Sequence, residues 1–129
     1  MIPTVEWKNG IVMMLDQTKL PFETVYQECR DYQTVARGIK ELWVRGAPAI
    51  GIAAAMGLVA ALRDRASESR AGLLALVADG STRIRGARPT AVNLAWAVDR
   101  MQGRFNELAD ATDDGGEIAD AMRAEAEAI

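Results

Sequence analysis

Strand-like patterning opens the chain and gives way to helical patterning near Asp31. Residues 4–8 (Thr-Val-Glu-Trp-Lys) and 11–15 (Ile-Val-Met-Met-Leu) are rich in apolar and β-branched side chains. Asn9-Gly10 lies between them, the strongest short signal for a hairpin turn. After Leu20-Pro21, residues 22–29 roughly alternate apolar and polar positions, which predicts a third strand. Asp31 then stands where a helix cap belongs, and Tyr32, Val35, Ala36, Ile39, Leu42 and Trp43 form one amphipathic stripe. Residues 48–65 are apolar nearly all round, so this segment should be a helix covered on every side by its neighbours. Gly51, Gly57 and the Ala53-Ala54-Ala55 run mark points of close helix approach within it. A third helix is expected over residues 69–84, with Leu73, Leu74, Leu76 and Val77 inward. A fourth is expected over 90–109, carrying Leu94, Val98, Met101 and Phe105. Asp113-Asp114-Gly115-Gly116 reads as a turn, followed from Glu117 by a helix with a thin face of Ile118, Ala121, Met122, Ala126 and Ile129. The expected architecture is α+β: a small three-stranded antiparallel sheet followed by a cluster of four to six helices. The chain stops inside the last helix pattern, which suggests a piece of a longer protein.

Composition narrows the function classes. The chain has 129 residues, half of them hydrophobic and a quarter charged, which suits one folded domain with its own core. A net charge of −3 argues against general nucleic-acid binding, which needs a basic face. Histidine is absent and there is a single cysteine, so the commonest general base and a zinc site are both missing. One cysteine allows no internal disulfide, and the N-terminus shows no signal-peptide pattern, so a cytoplasmic location is expected. The longest uncharged apolar run, residues 47–62, falls short of the roughly 20 residues that span a bilayer. Neither a nucleic-acid nor a membrane partner is expected.

Two segments carry candidate chemistry. Arg45-Gly46-Ala47-Pro48 stands directly before the apolar helix. Proline is tolerated in the first helical turn, and Gly46 lets the backbone come close to whatever sits before the helix. The free N–H groups and the positive end of the helix dipole attract an anion there, and Arg45 adds a planar charged fork suited to phosphate. Arg88-Pro89-Thr90-Ala91 repeats the design ahead of the next-but-one helix, with Thr90 a plausible cap. Two arginines at two helix starts are expected to converge on one phosphate.

The wording of these segments supports a family resemblance. Residues 44–51 (Val-Arg-Gly-Ala-Pro-Ala-Ile-Gly) and 88–94 (Arg-Pro-Thr-Ala-Val-Asn-Leu) resemble the two N-terminal signatures of the methylthioribose-1-phosphate isomerase family of methionine salvage. Asp16-Gln17-Thr18-Lys19-Leu20-Pro21 resembles the family's opening Asp-Gln-x-x-Leu-Pro segment, and residues 96–101 resemble the helix after the second arginine. The resemblance covers essentially the whole chain. It implies conversion of 5-methylthioribose 1-phosphate to 5-methylthioribulose 1-phosphate without an external cofactor. It implies substrate binding by Arg45, Gly46, Ala47 and Arg88, and a homodimer for the full-length protein. The family's larger Rossmann-like domain, which carries a catalytic cysteine and aspartate, has no counterpart here. Cys29 lies outside the family's cysteine setting and reads as a small buried hydrophobe. No catalytic residue is therefore assigned, and the chain by itself is expected to bind without turning over substrate. Two related readings stay open: a regulatory subunit of the exchange-factor type from translation initiation, and a ribose-1,5-bisphosphate isomerase.

Overall fold

The computed structural model describes residues 5–8, 11–44, 46–62 and 69–129. Strands β1 (Val5–Lys8), β2 (Ile11–Leu15) and β3 (Tyr26–Cys29) form an antiparallel sheet in that order. Lys8 pairs with Ile11 and Val12 with Cys29. The expected Asn9-Gly10 turn lies outside the described residues. On β2, Val12 and Met14 are fully buried while Ile11 and Met13 are half-buried, so one face of the sheet is committed to the helices.

The third strand is shorter than the alternation of residues 22–29 predicts. The chain turns after β2 through a short 3-10 segment, Gln17–Lys19, and the Leu20–Pro21 peptide is cis. The Glu23 N–H donates to the Lys19 carbonyl at 2.9 Å, which draws the chain into a turn, and Phe22 is left 93% exposed. Pairing resumes only at Tyr26.

Five helices follow: α1 (Tyr32–Lys40), α2 (Ala47–Ala61), α3 (Arg70–Ala87), α4 (Val92–Ala111) and α5 (Gly115–Glu127). Asp31 caps α1 as expected, its side chain accepting from the Thr34 N–H at 2.7 Å. Yet α1 stops at Lys40, before the last two members of its apolar stripe. Leu42 adopts φ 65°, and the Trp43 N–H reaches back to the Gly38 carbonyl at 2.9 Å while Leu42 N–H reaches Ile39. This pair of bonds is a Schellman closure with leucine where glycine is usual. Trp43 then folds against Gly38, where an added Cβ would lie 2.6 Å from its ring.

The second helix lies at the centre, in contact with α1, α3, α4, α5 and the sheet. Ala53, Ala54, Ala55 and Leu58 are fully buried, as its all-round apolar sequence requires. Gly57 is a true close approach: a Cβ there would meet Ile84 Cδ1 and Val35 Cγ1, each at 2.8 Å. The expected extension of α2 beyond residue 62 lies outside the described residues. In α3, Leu73 and Val77 face the core as expected, but Leu74 is 39% exposed and Leu76 only half-buried. Gly80 and Ile84 complete the inward row, at the alternating spacing of four, three and four that a 3.6-residue period dictates. The helix α5 begins at Gly115, inside the expected turn, because the Asp114 side chain accepts from the Gly116 and Glu117 N–H groups. Its thin face packs through Ile118, Met122 and Ala126. Among the described residues no helix is long and apolar enough to cross a membrane.

Candidate functional site

Gly46, Ile50, Arg88, Ala91, Val92 and Asn93 line one open cleft of about 330 Å³. The starts of α2 and α4 thus meet in space, although some forty residues separate them in sequence. They are held together just beside the cleft: an added Cβ on Gly51 would lie 3.5 Å from the Asn93 carbonyl oxygen and 3.8 Å from Ala97 Cβ.

Both helix starts lack an acceptor of their own. Gly46 is the cap residue of α2, with φ 93° and ψ 138°, a conformation that side-chain-bearing residues rarely adopt. It has no side chain to cap with, and Pro48 has no N–H to leave unpaired. The first backbone bond of α2 runs from the Ile50 N–H to the Gly46 carbonyl at 3.0 Å. At α4 the expected cap, Thr90, is displaced. The chain makes a turn in which the Ala91 N–H donates to the Arg88 carbonyl at 3.0 Å, and Ala91 becomes the cap residue. Alanine cannot accept a hydrogen bond through its side chain, so the N–H groups of Val92, Asn93 and Leu94 have no acceptor within the helix. The other three helix starts are different. Asp31, Ser69 and Asp114 cap α1, α3 and α5 with side-chain oxygens. The two starts that face the cleft are therefore the two without a carboxylate or hydroxyl cap, and neither carries an acidic residue in its first turn.

Arg88 is half-buried in the cleft wall and makes no ion pair with any described residue. Its neighbours on the same helices are engaged. Arg85 pairs with Asp99, and Arg100 with Glu125 at 2.6 Å. Asn93, the second residue of α4, is exposed on the cleft wall. Of the residues singled out from sequence, Gly46 and Arg88 come together, and Ala47 is the first residue of α2. Arg45 lies outside the described residues. Sequence reasoning did not assign Ala91 or Val92 to the site. Their signal was available only as the missing cap, which becomes visible once the Arg88 turn shows which residue ends it.

Cys29 is fully buried, and that burial, reinforced by the charge of Asp31, pushes its thiol up to about 12. A thiol so placed is inert as a nucleophile or base near neutrality. Trp43 is buried beneath Arg37, whereas Trp96 is 53% exposed on α4 with Arg100 over its ring, so Trp96 is no core residue.

Comparison with known proteins places these features in context. A family model described as the Initiation factor 2 subunit family matches residues 43–129. A methylthioribose-1-phosphate isomerase from Koribacter versatilis is 48% identical over 107 residues, covering 83% of this chain and 30% of that protein. The crystal structure of 5-methylthioribose 1-phosphate isomerase from Pyrococcus horikoshii OT3 superimposes with a TM-score of 0.90 and 35% identity, over 98% of this chain and 35% of that one. The translation initiation factor eIF-2B subunit delta from A. fulgidus superimposes with a TM-score of 0.87 and 31% identity, over 98% of this chain and 36% of that one. The chain spans about a third of the length of the relatives it matches.

Proposed function

The chain belongs to the Initiation factor 2 subunit family, and from that premise we propose that it is the substrate-phosphate-binding N-terminal domain of an aldose–ketose isomerase acting on 5-methylthioribose 1-phosphate. The observation that carries this reading is the meeting in one cleft of two uncapped helix starts and Arg88, which has no ion-pair partner among the described residues. A phosphoryl group supplies what both helix starts lack, oxygen acceptors carrying negative charge. The N–H groups of Val92, Asn93 and Leu94 donate from one side, those at the start of α2 from the other, and Arg88 supplies a charged fork. Arg45, next to Gly46 in sequence, is the second cation of the site.

Binding is the whole of this chain's contribution. Moving a hydrogen between adjacent sugar carbons needs a group that takes and returns a proton or polarises an oxygen. A guanidinium donates only, the sequence has no histidine, Cys29 is buried in its protonated form, and no carboxylate is among the described residues that line the cleft. The reacting carbons are therefore handled by a further, catalytic domain of the full-length protein, which works without a cofactor, as a homodimer and in the cytoplasm.

Arg88→Ala in the full-length gene product should weaken binding of the sugar phosphate roughly ten- to a hundredfold, the consequence of losing about 1.5–3 kcal/mol of charged hydrogen bonding. Titration calorimetry measures it, and unchanged affinity would remove the basis of the reading. The likeness to the eIF-2B delta subunit favours a second reading, a regulatory subunit in which the cleft is inherited. Under that reading the full-length protein converts no methylthioribose 1-phosphate at any enzyme concentration.

A further inference from the structure

The Asp-Gln-x-x-Leu-Pro segment contributes no residue to the cleft, yet its hydrogen bonds lead there. Asp16 is 1% exposed. Its carboxylate accepts from the Thr18 N–H at 2.9 Å, from the Thr18 hydroxyl and from the Gln27 side-chain amide at 2.9 Å. Its own N–H donates to the Val25 carbonyl at 2.7 Å. Asp16 is thus fixed between β2, β3 and the 3-10 turn that it caps. The next N–H, that of Gln17, leaves this cluster and donates to the Trp43 carbonyl at 2.8 Å. Trp43 stands three residues before Gly46. From the other side it is held by its N–H bond to Gly38 and by Arg37 over its ring.

We infer that Asp16 and the backbone of Gln17 are positioning residues for the anion cleft: they anchor the chain at Trp43, three residues before Gly46 in the cleft wall. The inference rests on the phosphate-site reading above. Binding energy is used well only if the donors are in place before the ligand arrives. The Gln17–Trp43 bond fixes the backbone three residues ahead of the positive-φ Gly46 at the start of α2. Asp16 orients that tether from outside the cleft lining.

Gln17→Pro tests the tether directly. Position 17 is the first of its 3-10 turn, and Asp16 before it is extended (φ −73°, ψ 101°), so proline fits there and removes the N–H together with a side chain that has no hydrogen-bond partner among the described residues. In the full-length protein, at temperatures well below unfolding, KM for 5-methylthioribose 1-phosphate should rise about three- to tenfold with kcat nearly unchanged. A merely structural role would lower the melting temperature and leave KM as it was, which would overturn the inference. Asp16→Ala provides the second arm. It removes the acceptor of the Thr18 N–H, the Thr18 hydroxyl and the Gln27 amide and should raise KM with kcat nearly unchanged, whereas the conservative Asp16→Asn keeps an acceptor for Thr18, lets the Gln27 amide turn over to meet it, and should restore most of the affinity. Asp16→Ala without a rise in KM, or a rise that Asp16→Asn shows in full, overturns the inference even if Gln17→Pro fails to fold. Arg88→Ala separates the two readings. Loss of phosphate affinity there with none in the position 17 and 16 variants refutes the tether alone, and no loss in any of them refutes the site itself.

Discussion

At the scale of single residues, two positions stand against local preference. Leu42 holds φ 65°, a conformation that costs a residue with a Cβ about 1–2 kcal/mol. It persists because the Schellman bonds and the burial of Trp43 fix the residues on either side. Leu42→Gly should therefore stabilise the fold by about 0.5–1 kcal/mol after the loss of a partly exposed side chain and the added freedom of the unfolded chain are allowed for. A shift of the urea midpoint to higher concentration checks it. Asp16 is the other case, a buried carboxylate. Burial raises its pKa, but hydrogen bonds from Thr18 and Gln27, with the charge of Lys19, more than reverse this and hold it below the ordinary value. Neither position could be read from the sequence. Leu42 fits its helical stripe, and nothing in the Asp-Gln-x-x-Leu-Pro wording marks Asp16 as buried, until the partners of each are seen.

Elements are where glycine and capping choices take on opposite signs. Gly57→Ala would drive a methyl into Val35 and Ile84 at the α1–α2–α3 junction and should cost about 1–3 kcal/mol. Gly103→Ala, in the middle of α4 with nothing within 4 Å, should gain about 0.5–1 kcal/mol from helix propensity. Thermal unfolding of the two variants reads the contrast directly. The missing caps make a sharper case. Ala91 is already extended (φ −80°, ψ 105°), as a cap residue should be. Ala91→Asp should stabilise α4 by about 0.5–2 kcal/mol and at the same time weaken phosphate binding, because the new carboxylate takes the donors and repels the anion. A variant that is more stable yet binds phosphate as well as its parent would show that these N–H groups are not the site. The strand, helix and turn pattern was legible here because it depends on local period. The boundaries were less so. Residues 22–25 alternate like a strand but join no ladder, keeping only the bond from the Asp16 N–H to the Val25 carbonyl, because the chain turns between residues 19 and 23.

At the scale of the whole molecule, the central α2 organises everything else: it carries the core on all sides and presents its bare start to the cleft. A chain of residues 1–129 expressed by itself should bind inorganic phosphate through that cleft and form no ketose product, since among the described residues that line the cleft none is a carboxylate, a lysine, a tyrosine or a cysteine that could exchange a proton with a sugar carbon. Product formation by this chain alone, measured in a ketose-specific assay, would contradict the division of labour proposed above. The sequence by itself determined the α+β class, the burial of α2 and the two arginine-bearing helix starts, because periodicity, caps and short motifs act over a few neighbouring residues. Only the tertiary structure decided that Gly46 and Arg88 share one cleft, that α4 begins at an alanine without a cap, and that a buried carboxylate fifteen residues into the chain steadies the approach to it. Those facts depend on which distant backbone groups meet, and the packing of α2 against α4 and of the sheet against Trp43 sets that, not any local preference along the chain.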